Sequence, residues 1–387
     1  MRPLAPLATR IATDPVIASA CSGSIETLAC PEAARAGVIA AMAGVSERQV
    51  LVVTPTGTAA EQLAADLSMF MDGVVAFPAW ETLPFERVSP AVATMGQRLS
   101  VIENLENVHV VVTSTRALLQ RLGPGDESHA PRTIMPGDVI DPDELMSWLI
   151  AHGYRREDIV EHRGEVARRG AIIDIYPSVG DVPVRIDLWG DEVDRLVTFD
   201  VNDQRSLNTL DRVEIVPARE FFLDESVRAR AALLVAEEPW GREQWERIAE
   251  GQIFDGMESW MPWFSDTEQL LPHRLAAGFT CIVVEPRRTE HRANDLVAEE
   301  ADLARSLATT WGRDAEQTFP RLHVDYSTAM TAVIARARNV MKMVAVAEGP
   351  NTAQIESHAW STTAAGPTAL TDRVAGYIAD GWTVAVA

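Results

Sequence analysis

The stretch VPVRIDLWGDEVDRLVTFD, Val182 to Asp200, decides how the middle of this chain folds. Val184, Ile186 and Leu188 alternate with Arg185, Asp187 and Trp189, the period-two pattern of a strand with one buried and one open face. Gly190, Asp191 and Glu192 then read as a tight hairpin turn, and Val193 to Asp200 as the returning strand. Just upstream, RRGAIIDIYP, Arg168 to Pro177, alternates too: Ile173 and Ile175 fall on one face, and Ile172, Asp174 and Tyr176 on the other. Before it, DPDELMSWLIAHGY predicts a helix capped by Asp141 or Asp143, with Gly153 just past its end. Antiparallel strands with helices on one face make an α+β unit.

On either side the pattern changes. RQVLVVTP holds an unbroken apolar run, Val50 to Val53, as in a strand buried on both faces. TGTAAEQLAADLSMF follows as a helix that Thr58 can cap, with Leu63 and Leu67 at helical spacing. GVVAFP and NVHVVVTS supply two more strands, and TRALLQRL another helix. Such alternation predicts a parallel sheet with helices on its faces. After Ile215, helices, the apolar strand FTCIVVEP and a long charged helix resume that pattern. The glycine- and proline-rich run GPGDESHAPRTIMPGD marks the first boundary. The expected division is an α/β domain at 1–126, an α+β domain at 127–214 and a second α/β part at 215–350. A linker at 351–366 and the start of a further α/β unit at 367–387 complete it. Because GWTVAVA would leave that last unit on a bare strand, the chain is expected to continue.

A chain of 387 residues fits two to four domains. Its net charge of -22 opposes a generalised basic surface for nucleic acid, while leaving room for a local basic patch. Protein is the expected partner. Three scattered cysteines, Cys21, Cys30 and Cys281, form no CxxC pair, which argues against a zinc or redox site and for a reducing cytoplasm. The first residues are broken by prolines and do not read as a signal peptide, and no apolar run is long enough to span a membrane. The eight histidines are scattered and are expected as solvated or satisfied core residues. The sole lysine, Lys342, follows no glycine-rich loop, so no phosphate-binding loop with its lysine is present. No catalytic, metal or cofactor residue is expected.

FPAWETLPFERVSP, Phe77 to Pro90, then the run from Arg163 to Ser206, and DGMESWMPWF, Asp255 to Phe264, resemble, in order, the N-terminal region of the bacterial transcription-repair coupling factor (Mfd) family. The resemblance implies a UvrB-like architecture: a degenerate, non-hydrolysing helicase-like α/β domain carrying an inserted α+β domain. The excision-repair helicase UvrB departs in two places. It carries an intact phosphate loop where this chain has TLACPEAARAGVIAAM, and an aromatic-rich DNA-clamping hairpin where this chain passes from WETLPFERVSP to AVATMGQRLSVIENL. The family's second domain binds UvrA, and the positions matching its contact surface are Arg169, Arg185 and Trp189. Arginine beside an aromatic is the composition of a binding hot spot, where truncation costs about 2 kcal/mol or more. The opposing reading leaves these residues on a solvated face, with Arg169 paired to a nearby acid. Trp80 and Phe85 are expected to anchor their loop on the core. The resemblance thus implies a monomeric UvrA-recruiting module that hydrolyses no ATP. RNA polymerase, double-stranded DNA and ATP-driven translocation belong to parts of the family's protein absent here. The alternatives are a UvrB-type helicase and a DNA-binding scaffold.

Overall fold

A computed structural model describes residues 4–46, 48–84, 86–123, 130–264, 269–310, 319–347, 349, 352–355 and 367–381. The strands run in chain order as β1 (Thr27–Ala29), β2 (Val50–Thr54), β3 (Val74–Phe77), β4 (Val110–Ser114), β5 (Arg132–Ile134), β6 (Arg155–Arg156), β7 (Glu165–Arg169) and β8 (Ile172–Ile175). They continue as β9 (Val184–Trp189), β10 (Glu192–Phe199), β11 (Ser206–Leu210), β12 (Val213–Ile215), β13 (Thr280–Val284), β14 (Asn339–Val344) and β15 (Thr352–Gln354).

Seven of them form one sheet in the order β15-β1-β14-β13-β2-β4-β3, with every neighbouring pair parallel. The apolar runs that predicted doubly buried strands explain it. Val50, Val52, Val110, Val112, Ile282 and Val284 enter the core on one face. Leu51, Val53, Val111, Cys281 and Val283 enter the core on the other. A parallel sheet needs apolar side chains on both faces because crossover helices cover both. The helices Arg35–Ser46 and Gly57–Ser68 bury residues in the first core, and Thr115–Leu119 and Tyr326–Arg336 in the second. Thr56, not Thr58, caps the helix Gly57–Ser68: its backbone is extended and its hydroxyl accepts from the Ala59 N–H at 3.3 Å. Strands before residue 115 and after residue 279 thus share one sheet. Thr352–Gln354, inside the stretch expected as a linker, pairs with β1 and extends it. The final helix is Pro367–Ala379; the strand expected in GWTVAVA lies outside the described residues.

Between β4 and β13 the chain makes a second, six-stranded sheet in the order β11-β10-β9-β8-β7-β6, antiparallel except for β6 with β7. Its strands open and close on the pair β5 and β12, with Ile134 opposite Val213. That two-strand clasp brings the ends of the insertion together, so it can sit in the larger fold without disturbing the parallel sheet. The expected alternation holds: Ile173, Ile175, Val184, Ile186 and Leu188 pack on Leu145, Met146 and Leu149 of the helix Pro142–Ala151. Asp141 caps this helix, accepting from the Asp143 and Glu144 N–H groups, and Gly153 takes φ +89° beyond its end. On β10, strict alternation from Val193 would send Arg195 inward. A register shift between Val193 and Arg195 resets the phase, so Val193 and Leu196 both enter the core.

A third cluster is aromatic: Trp80, Phe221, Trp245, Trp260 and Trp263 pack together under the helices Glu225–Glu237 and Arg242–Ala249. The parallel α/β part with an inserted antiparallel α+β part is the fold class expected from the sequence. Among the described residues no helix is long and apolar enough to cross a membrane.

Candidate protein-docking face

The face of the six-stranded sheet away from the helix Pro142–Ala151 carries the candidate residues. Register places Asp174 of β8 opposite Arg185 of β9, and Arg185 opposite Val197 of β10. Arg185 grips Asp174 with two bonds: Nε donates to Oδ1 at 2.7 Å and Nη2 to Oδ2 at 3.0 Å. Arg169 donates to the same Oδ2 at 2.5 Å, and Arg185 Nη1 donates to the Gln204 carbonyl at 3.1 Å. The Arg185 guanidinium also lies 4.8 Å from the Phe199 ring centroid. Asp174 is 1% exposed, so two arginines neutralise a carboxylate withdrawn from water. The Asp174 hydrogen bond holds the Arg185 guanidinium above its usual pKa, against the opposing effect of burial. One register step away, Arg195 donates to Asp187 at 2.5 Å.

Trp189 ends this row and is different in kind. It stands opposite Glu192 beside the Gly190 turn and is 83% exposed. The fold therefore separates the three candidates. Arg185, its side chain 12% exposed, is committed to Asp174; Arg169 is half-open; Trp189 is fully available. Asp174 was legible as a polar-face residue, but its role as the shared buried acceptor was not. That role depends on which residue stands across from it, and alternation within one strand does not specify register.

Elsewhere the structure answers other questions. Trp80 is 2% exposed and anchors its loop: its indole N–H donates to Glu220 at 2.7 Å, and Arg98 Nε donates to the same oxygen at 2.7 Å. Phe85 lies outside the described residues. Where a phosphate loop would follow β1, the chain has Cys30 and Pro31 and then the short turn Glu32–Ala34. The buried Arg35 that follows donates to Glu285 at 3.0 Å. A cavity of about 460 Å³ at the carboxyl ends of β2, β3 and β4 is lined by Glu61, Glu81, Asp295 and Glu299 against Arg116 and Arg292, an excess of carboxylates that opposes phosphate. His323 is a core residue but not a fully satisfied one: its Nδ1 lies 2.9 Å from Glu300, its buried Nε2 meets no hydrogen-bond partner, and burial holds its pKa below the usual value. Among the described residues no group of three or more histidine, cysteine or acidic side chains could hold a metal.

Residues 133–221 match the family model described as the UvrB interaction domain. That stretch begins in β5, ends just past β12 and contains Arg169, Arg185 and Trp189. The chain is also similar to the transcription-repair-coupling factor of Mycobacterium tuberculosis, 39% identical over 292 residues, covering 70% of this chain and 24% of the relative. The coupling factor of Escherichia coli is 31% identical over 242 residues, 60% of this chain and 21% of the relative. That of Bacillus subtilis is 34% identical over 203 residues, 51% and 17%. The resemblance drawn from the three motifs is thus borne out, and the chain spans less than a quarter of the length of these curated relatives.

Proposed function

We propose that this chain is the UvrA-recruiting part of a transcription-repair coupling factor and that it docks UvrA on the outer face of the UvrB interaction domain. One observation carries the reading: Trp189 stands 83% exposed at the end of an ordered arginine–carboxylate row. An indole left in water at a defined position is apolar surface waiting for a partner, and aromatic and arginine side chains dominate binding hot spots. Arg169 flanks the row at the open edge, and Arg185 holds the strands that present it. Recruitment of UvrA to stalled RNA polymerase, and ATP-driven movement on DNA, are activities proposed for the whole coupling factor. They call on parts of the relatives that this chain does not span.

Binding of the purified chain to UvrA tests the reading. Trp189→Ala is expected to weaken binding by about 2 kcal/mol, roughly 30-fold. Its unfolding midpoint should stay that of the parent, because an exposed side chain contributes little to the core. Unchanged affinity in this variant would move the docking site elsewhere. The UvrB-type helicase is disfavoured by the loop after β1, with its proline and no lysine, and ATP hydrolysis by the chain would revive it. The DNA scaffold is disfavoured by the net charge of -22; steeply salt-dependent DNA binding would revive it.

A further inference from the structure

The helix Val92–Glu103 touches three cores. Val92 packs against the core of the inserted domain, Met95 lies in the aromatic cluster, and Val101 lies in the core on the second face of the parallel sheet. Two of its positions meet the inserted domain at a distance that only small residues permit. A Cβ on Gly96 would stand 2.6 Å from both Cβ and Oγ of Ser178, and 3.1 Å from its carbonyl carbon. A Cβ on Gly164 would stand 3.0 Å from Val92, and Gly164 has φ +82° besides.

Ser178 cannot retreat from such a contact. It is fully buried; its N–H donates to the Tyr154 hydroxyl at 3.1 Å, and its own hydroxyl donates to the Val216 carbonyl at 2.8 Å. Tyr154 donates to that same carbonyl at 2.7 Å. Ser178 is therefore the fixed corner of a buried network that ties the β8–β9 connection to the exit of the insertion. Glycine inside a helix is disfavoured relative to nearly every other residue, so its presence here needs a reason, and the close approach supplies one. On the neighbouring flank of the same helix, Arg98 is wholly buried and donates to Glu220, two residues beyond the insertion's core residue Ala218.

We infer that the helix Val92–Glu103 is the mount that fixes the inserted domain on the α/β body, with Gly96 against Ser178 as the contact that sets its seating. Gly96 is a positioning residue: it touches nothing on the Trp189 face and acts by holding the domain that carries that face. The seating is independent of what the face binds, so this inference stands or falls apart from the UvrA reading.

Hydrogen exchange on the whole chain tests it. In Gly96→Leu the added side chain should unseat the domain. The Ser178 amide and the amides of residues 95 and 96 should exchange roughly tenfold faster or more, as expected when a local contact opens. The paired amides of β9 with β10 and of β2 with β4 should keep the parent's protection. Ser178 protection unchanged in Gly96→Leu would show that the seating does not depend on this contact and would overturn the inference. Loss of protection throughout β9 and β10 as well would also overturn it, by making Gly96 an ordinary core position. If Gly96→Leu does not fold, Gly96→Ala carries the same readout, with faster exchange confined to Ser178 and the helix expected and parental exchange overturning the inference.

Discussion

Replacing Glu220 by alanine is expected to cost about 3–5 kcal/mol of folding stability, because it strands a buried guanidinium. Arg98 is fully buried, and its Nε bonds Glu220; its remaining bond, from Nη1, goes to the Pro78 carbonyl at 2.7 Å. Glu220 is equally withdrawn, so burial pushes its carboxyl pKa up while the facing Arg98 charge pulls it down. Neither group is cheap alone, and each exists in this core because of the other. Trp80 adds an indole N–H to the same oxygen, and the guanidinium lies 4.4 Å from the Phe77 ring centroid. Denaturant unfolding followed by the fluorescence of the tryptophan cluster measures the effect. Replacing both partners together, Arg98→Met with Glu220→Leu, should cost less than Glu220→Ala alone, since no charge is then left unpaired. A double variant no more stable than the single one would show that the pair is not the source of the loss.

Arg185→Ala is expected to lower the stability of the inserted domain by about 2–3 kcal/mol and to weaken UvrA binding as a consequence. The substitution removes both bonds of the fork on Asp174 and leaves a 1%-exposed carboxylate to Arg169 alone. Arg185→Lys should recover only part of the loss, because an ammonium cannot bond both oxygens in the plane of the carboxylate. The comparison with Trp189→Ala separates two roles that resemble each other in a binding assay. Trp189→Ala should lose affinity at parental stability, whereas Arg185→Ala should lose stability first. Parental stability in Arg185→Ala would return Arg185 to the set of direct contacts.

What the sequence by itself determined is the kind of element at each place. Unbroken runs such as Val50–Val53 announced doubly buried parallel strands. The alternation of Val184, Ile186 and Leu188 with Arg185, Asp187 and Trp189 announced a one-sided antiparallel strand. Both patterns follow from side-chain periodicity, which is local to the chain. Trp189 was legible as a polar-face residue for the same reason, but its openness was not: Phe199 on that face is 1% exposed, and Trp189 stands free because it ends β9 beside the turn. Local signals also misled at small scale, as where Thr56 rather than Thr58 caps the helix, because a cap depends on the backbone angle of its residue and not on residue type alone. Only the tertiary structure decided which residues meet. That Arg169 and Arg185 share Asp174, that Trp80 and Arg98 converge on Glu220 across 140 and 122 residues of sequence, and that Gly96 abuts Ser178 all depend on strand register and on how the insertion is seated. Register and seating are settled by packing between segments far apart in the chain, which leaves no periodic mark within either segment.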